Sequence, residues 1–271
     1  MFQPAIDYTF AVDGLAAYAV VGLVALLASG LTLFSGFGLG TLLLPAFAFF
    51  FPLPVAVAAT AIVHLANNLY KLALLARYAA WPIVVQFVFP AALAAAGGAY
   101  LLGRMANLPV LGTYEFAGRT AEVTLVKLTI GMLIAGFALL ELLPAGNKLS
   151  LKRRHIPAGA FLSGLFGGLS GHQGALRSAV LIHFDLSKEA FIATGVVCAV
   201  VVDLARLIVY GGTMLWPSAV PPGLVTWACA AALVGAFAGT RLLTRIPMTT
   251  VRRLVGSMLL LVAFLLTTGL A

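Results

Sequence analysis

Long runs without charge set the pattern of this chain. No Asp, Glu, Lys or Arg occurs over residues 14–70, 78–103, 207–240 or 254–271. A helix needs about 20 predominantly apolar residues to cross the hydrocarbon core of a bilayer. The runs predict long hydrophobic segments at 15–34, 55–75, 82–103 and 123–143, and again at 157–170, 189–210, 222–243 and 251–270. Two further apolar pieces, 41–51 and 175–184, are too short to cross alone. Pieces of that length belong to half-helices or re-entrant elements.

Composition turns this pattern into a class. Of 271 residues 62% are hydrophobic and 9% charged, with a mean hydropathy of +1.10. A water-soluble chain of this size needs far more polar material to cover its surface. The expectation is an all-α, polytopic transmembrane helix bundle with the lipid bilayer as its main partner. The net charge of +8 does not call for nucleic acid, because most basic residues flank hydrophobic spans, where topology explains them. Residues 1–13 carry Asp7 and Asp13 but no Lys or Arg, so they lack the basic start of a signal peptide and are expected to stay in the mature chain. Cys198 and Cys229 stand alone in apolar segments, with no metal-ligand spacing and no redox pair. No cofactor is expected.

The chain repeats itself. Trp81-Pro82 recurs as Trp216-Pro217, an offset of 216 − 81 = 135 positions. Ser35-Gly36 recurs as Ser170-Gly171 and Asn68-x-x-Lys71 as Asp203-x-x-Arg206, both at 135. Thr60 pairs with Thr194, the stretch 98–104 resembles 239–245, and 127–131 resembles 252–256. The collinear order of these matches points to an internal duplication. The repeats are expected at 1–147 and 157–271, joined by a basic linker at 148–156.

Loop charge gives an orientation. The linker holds Lys148, Lys152, Arg153 and Arg154, and the last loop is flanked by Arg241, Arg245, Arg252 and Arg253. Both read as cytoplasmic, whereas the loop 211–221 and the N-terminus, free of Lys and Arg, read as external. Both basic loops stay inside only if each half crosses an odd number of times. An odd number makes the halves inverted copies, with both termini outside the plasma membrane.

Each half then interrupts its first span at glycine. The first break is Ser35-Gly36-Phe37-Gly38-Leu39-Gly40-Thr41; the second is Ser170-Gly171-His172-Gln173-Gly174-Ala175-Leu176-Arg177-Ser178. Glycine permits backbone that interrupts a helix, and such backbone is tolerated at membrane depth only beside protein or water. A break also opens the N-terminus of a half-helix, whose N–H groups and dipole favour an anion. Two breaks brought together by inverted halves make a midplane site. Close helix packing is the alternative use of such glycines.

These segments resemble the TauE/SafE sulfite exporter family, also called the toluene-sulfonate uptake permeases. The resemblance rests on Ser29-Gly30 through Gly36-x-Gly38-x-Gly40, then Pro45 and the small-residue run to Thr60, with a second copy from Ser163-Gly164 to Thr194. It covers nearly the whole chain, and it implies a duplicated membrane protein that moves sulfite, sulfoacetate or other sulfur-containing anions. The family's second glycine cluster is usually richer in glycine. Here His172, Gln173 and Arg177 interrupt it, adding groups able to recognise an anion.

The residues expected at the substrate are Ser35, Gly36, Gly38, Gly40, Thr41, Asn67, Asn68, His172, Gln173, Gly174, Arg177 and Ser178. A guanidinium at Arg177 matches a sulfonate or carboxylate through paired hydrogen bonds; the alternative is snorkelling or a pair with Asp185. His172 is a candidate donor and a candidate carrier of a coupling proton, against a purely structural hydrogen bond. His64, Asn67 and Asn68 share one helix face. Asp203 and Arg206, three apart, are expected to neutralise each other, while Lys71 lacks a nearby acid and either adds positive potential or reaches the interface. Trp81 and Trp216 read as interfacial anchors.

The reading that follows is a secondary transporter exporting a small sulfur-containing anion by alternating access. The alternatives are an anion channel, or a transporter of another small carboxylate or oxyanion. No Walker motif is present, and neither His-Glu-x-x-His nor Gly-x-Ser-x-Gly occurs, so an enzyme is not expected. Nothing in the sequence fixes a homo-oligomeric state.

Overall fold

The computed structural model describes residues 14–35, 39–116, 118–142, 155–212, 220–242 and 248–270. The basic linker lies mostly outside these, as do Gly36, Gly38 and Trp216. The first half contains α1 (Gly14–Ser35), α2 (Leu39–Ala48), α3 (Leu53–Leu75), α4 (Trp81–Ala106) and α5 (Leu125–Leu142). The second contains α6 (Ile156–Ser170), α7 (Gly174–Leu181), α8 (Lys188–Gly212), α9 (Pro222–Leu242) and α10 (Met248–Thr268). Eight long segments and two short ones thus stand where the apolar runs put them. Five of the helices are long and apolar enough to span a membrane by length and composition.

Helix boundaries follow from local chemistry. Pro52 precedes α3 and proline occupies the first turns of α4 and α6, where a missing N–H costs nothing. α6 ends on Gly171 with φ 82°, a left-handed cap whose N–H reaches Gly167 O.

One segment departs from the all-helical expectation. Within the loop after α4, β1 (Gly112–Phe116) and β2 (Arg119–Val123) form an antiparallel hairpin, Gly112 opposite Val123 and Phe116 opposite Arg119. The stretch is too short and polar for a span, its residues alternate, and Gly118 supplies the positive φ of a tight turn. Tyr114 donates to Thr268 O and Lys127 Nζ to Glu122 O, which ties the hairpin to the ends of α10 and α5.

Polarity is inverted relative to a soluble protein. Leu15, Leu23, Val85, Phe89, Leu93, Ile208, Phe237 and Phe264 face outward, while Asp203 and Arg206 are fully buried together with His64, Asn67, Asn68 and Lys71. This is a multi-pass membrane protein.

Packing between helices exchanges the two halves. α1 packs on α9 and α6 on α4; α3 packs on α8, α5 on α10, α4 on α8 and α3 on α9. Exchanging each element of one half for its counterpart in the other leaves this pattern unchanged. Glycine makes both main crossings close. A methyl on Gly164 or Gly168 of α6 would collide with the carbonyls of Ala91 or Ala95 on α4. One on Gly235 would collide with Leu26 O of α1, and one on Gly239 would sit 2.7 Å from Gly30 Cα. Association inside a bilayer relies on such small-residue contacts.

Candidate functional site

The two breaks meet. Gly40 lies in the first turn of α2 and Gly171 closes α6, and a Cβ on Gly40 would lie 3.5 Å from both Gly171 O and Thr60 Cγ2. Thr41 is buried in the same turn of α2. Gly174 opens α7 and is buried, with Arg177 and Ser178 following half-buried. Ser35 closes α1. Where the residues are described, the two breaks therefore lie side by side.

A polar network runs from this junction between α3 and α8. Asp203 is its hub. Its Oδ2 lies 2.6 Å from His64 Nδ1 and accepts from Asn68 Nδ2 at 3.4 Å. Its Oδ1 accepts from Gln173 Nε2 at 3.0 Å and from Arg206 Nε and NH2 at 3.1 and 2.7 Å. Arg206 NH1 donates to Gly167 O at 3.2 Å, and Tyr210 donates to Gly168 O. Asp203 and Arg206 therefore neutralise each other as their spacing predicts. They do more than that, because one carboxylate also gathers side chains from α3 and from the second break. A buried charge persists only with such complete pairing.

Gln173 connects the hub to the half-helix. Its backbone carbonyl accepts from Ser163 Oγ at 3.0 Å, and its Oε1 accepts from Arg177 NH1 at 3.2 Å. Arg177 thus turns toward Gln173, while Asp185 is exposed and forms no ion pair with it among the described residues. Asn67, on the same side of α3 as His64, accepts from Ser29 Oγ of α1 at 2.9 Å through its Oδ1.

His172 sits apart from Asp203. Its Nδ1 lies 3.0 Å from Ser170 O and 3.2 Å from Ser170 Oγ, and its ring stacks on Phe137 of α5 with 4° between planes. Its Nε2 is buried without a hydrogen-bond partner among the described residues, as are Thr60 Oγ1 and Asn67 Nδ2. Buried polar atoms left open in this way are costly unless something fills them.

The structure thus gathers Asn68, Gln173 and Arg177 into one network and sets Gly40 and Thr41 beside it. It adds residues that the sequence reading left outside the substrate set: Asp203, His64, Arg206, Thr60 and Ser29. The repeat already carried a signal for one of these. Asn68 and Asp203 are equivalent positions in the two halves, and they touch. Equivalent residues in a duplicated chain meet only near the axis that relates the copies.

Compared with known families, the chain matches Sulfite exporter TauE/SafE over residues 20–266. Comparison with curated proteins and with solved structures gives no match.

Proposed function

Because the chain belongs to the sulfite exporter TauE/SafE family and is therefore a membrane transporter of sulfite or related anions, we propose that it exports a small sulfur-containing oxyanion or organosulfonate. Export proceeds by alternating access at the junction of the two glycine breaks. One observation carries this reading: Gly40, in the first turn of α2, lies against Gly171, two residues before the N-cap of α7, so the starts of both half-helices lie near one place. Their free N–H groups and dipoles favour negative charge, and the open donors Thr60 Oγ1 and Asn67 Nδ2 supply further groups for an oxyanion.

The halves, 1–147 and 157–271 about the linker 148–156, act as inverted repeats that rock against each other. The exchange-symmetric packing of α1 on α9 and α6 on α4 supports this division. The linker and the 243–247 loop then face the cytoplasm, and both termini face outward from the plasma membrane. A proton is the proposed coupling ion. His64 suits this role better than His172, since it alone of the two contacts the hub carboxylate. Asn68 faces His64 at 3.0 Å.

Flux of labelled sulfite, sulfoacetate and taurine in proteoliposomes tests the reading. Saturable, gradient-driven flux that disappears in Arg177→Ala is the expected result. Unsaturable conductance would instead make the chain a channel. Unchanged transport of every anion in Arg177→Ala would overturn the site.

A further inference from the structure

We infer that Lys71 and Arg177, one from each half, form a two-cation seat that selects dianionic oxyanions over monoanionic ones; this rests on the transporter reading above. The argument begins with charge at depth. Among acids with described side chains, Glu115, Glu122, Asp185 and Glu189 are exposed, and Asp203 alone is buried. That single carboxylate is committed to Arg206, from which it accepts two hydrogen bonds. Two cations remain. Arg177 has a neutral partner in Gln173 Oε1. Lys71 is 7% exposed and makes no hydrogen bond or ion pair among the described residues. A short chain of contacts sets the two near each other: Arg177 donates to Gln173, Gln173 donates to Asp203, and Asp203 accepts from Asn68, about one turn before Lys71 on α3.

The duplication explains how Lys71 came to lack an acid. Asn68-x-x-Lys71 is the first-half copy of Asp203-x-x-Arg206. In the second half the acid is present and the cation is neutralised in place. In the first half an amide stands where the acid would be, so the cation keeps its charge for something that arrives. An unpaired buried charge costs several kcal/mol, on the order of 3–5 when a pair is broken. Two like charges side by side add repulsion. A monoanion leaves one cation uncompensated, whereas a dianion neutralises both.

Lys71 also ends a stripe on α3. Thr60, His64, Asn67 and Lys71 fall at i, i+4, i+7 and i+11, the spacing of one helix face, and all four are buried. Thr60 Oγ1 and Asn67 Nδ2 on that stripe have no hydrogen-bond partner among the described residues. A ligand at the Lys71 end of this stripe meets the ammonium, the guanidinium of Arg177 and the amide N–H of Asn67, donors suited to several oxygens of one oxyanion, while Thr60, about 16 Å away along the helix axis, lies beyond its reach.

The test compares sulfoacetate, a dianion, with methanesulfonate, a monoanion, on the full-length protein. In proteoliposomes Lys71→Gln should raise KM for sulfoacetate by about tenfold or more, as loss of a charge-assisted hydrogen bond does. It should change KM for methanesulfonate much less, and Lys71→Arg should restore the preference. An unchanged ratio of the two KM values in Lys71→Gln, with the wild type active, overturns the seat while leaving the transporter reading intact. The second arm needs no variant and no transport. Thermal unfolding of the purified wild type in detergent should shift upward more with sulfoacetate or sulfate than with methanesulfonate at matched concentration and ionic strength. Equal shifts overturn the seat. A wild type that moves no sulfur oxyanion, yet shows the unequal shifts, overturns the transporter reading and keeps the seat.

Discussion

The two halves share a frame and differ in charge. α3 and α8 occupy equivalent places, pack on each other and carry their polar residues at the same positions. In α8 the acid and the base are both present and meet at 2.7 Å. In α3 the corresponding residues are Asn68 and Lys71, and Lys71 has no acid partner among the described residues. The glycine breaks diverge in the same sense: the first is almost all glycine and apolar residues, while the second carries His172, Gln173 and Arg177. The second half is thus neutralised in place at these positions, while the first keeps an amide and a cation there.

The sharpest way to break this comparison is to truncate the equivalent positions. Asp203→Leu strands Arg206, which is fully buried, and removes a partner from His64, Asn68 and Gln173. Breaking a buried pair in this manner costs about 3–5 kcal/mol, and little monodisperse protein should survive detergent extraction. Asn68→Leu strands no charge and should cost only about 1–2 kcal/mol. Thermal unfolding in detergent measures both. Equal losses would show that the acid of the second half does no more than the amide of the first.

The helix crossings sharpen the other side of the comparison, the shared frame. Gly164 and Gly235 each leave no room for a side chain, against Ala91 O and Leu26 O respectively. Gly164→Leu and Gly235→Leu should therefore destabilise alike, each by about 1–3 kcal/mol or more, read from the same unfolding curves. A large loss at one crossing alone would mean that the α6–α4 and α1–α9 contacts carry unequal weight.

Much of the frame was legible because a bilayer leaves few options. A charge-free run of sufficient length has to be helical, so apolar length alone placed ten helices within a few residues of their observed ends. The hairpin at 112–123 was not legible as such. It is exposed and short, and its alternation is weak beside the surrounding spans. The site divided along similar lines. Gly40, Gln173 and Arg177 could be found because they interrupt an apolar pattern. Asp203 looked self-sufficient, since Arg206 three residues on satisfies it locally. The partners that make it a hub, His64 and Gln173, lie 139 and 30 positions away, and only the fold brings them in. The equality of offset between Asn68 and Asp203 was the one clue to that contact.

The smallest expected effects come from a pair of serines that look interchangeable. Ser29-Gly30 and Ser163-Gly164 are matching dipeptides, and both hydroxyls are fully buried. Ser29 Oγ donates to the side chain of Asn67 at 2.9 Å, whereas Ser163 Oγ donates to the backbone carbonyl of Gln173 at 3.0 Å. Each alanine variant removes one buried hydrogen bond, so each should lower stability by about 1 kcal/mol, a small shift in unfolding temperature. Their effects on transport should separate. Ser163 holds the residue whose side chain links Asp203 to Arg177, so Ser163→Ala should raise KM for sulfite or sulfoacetate several-fold. Ser29→Ala loosens the amide of Asn67 on the α3 stripe and should change KM less. The reverse order would place the substrate nearer α1 and Asn67 than the second break, and would move the working face of the site from α7 to α3.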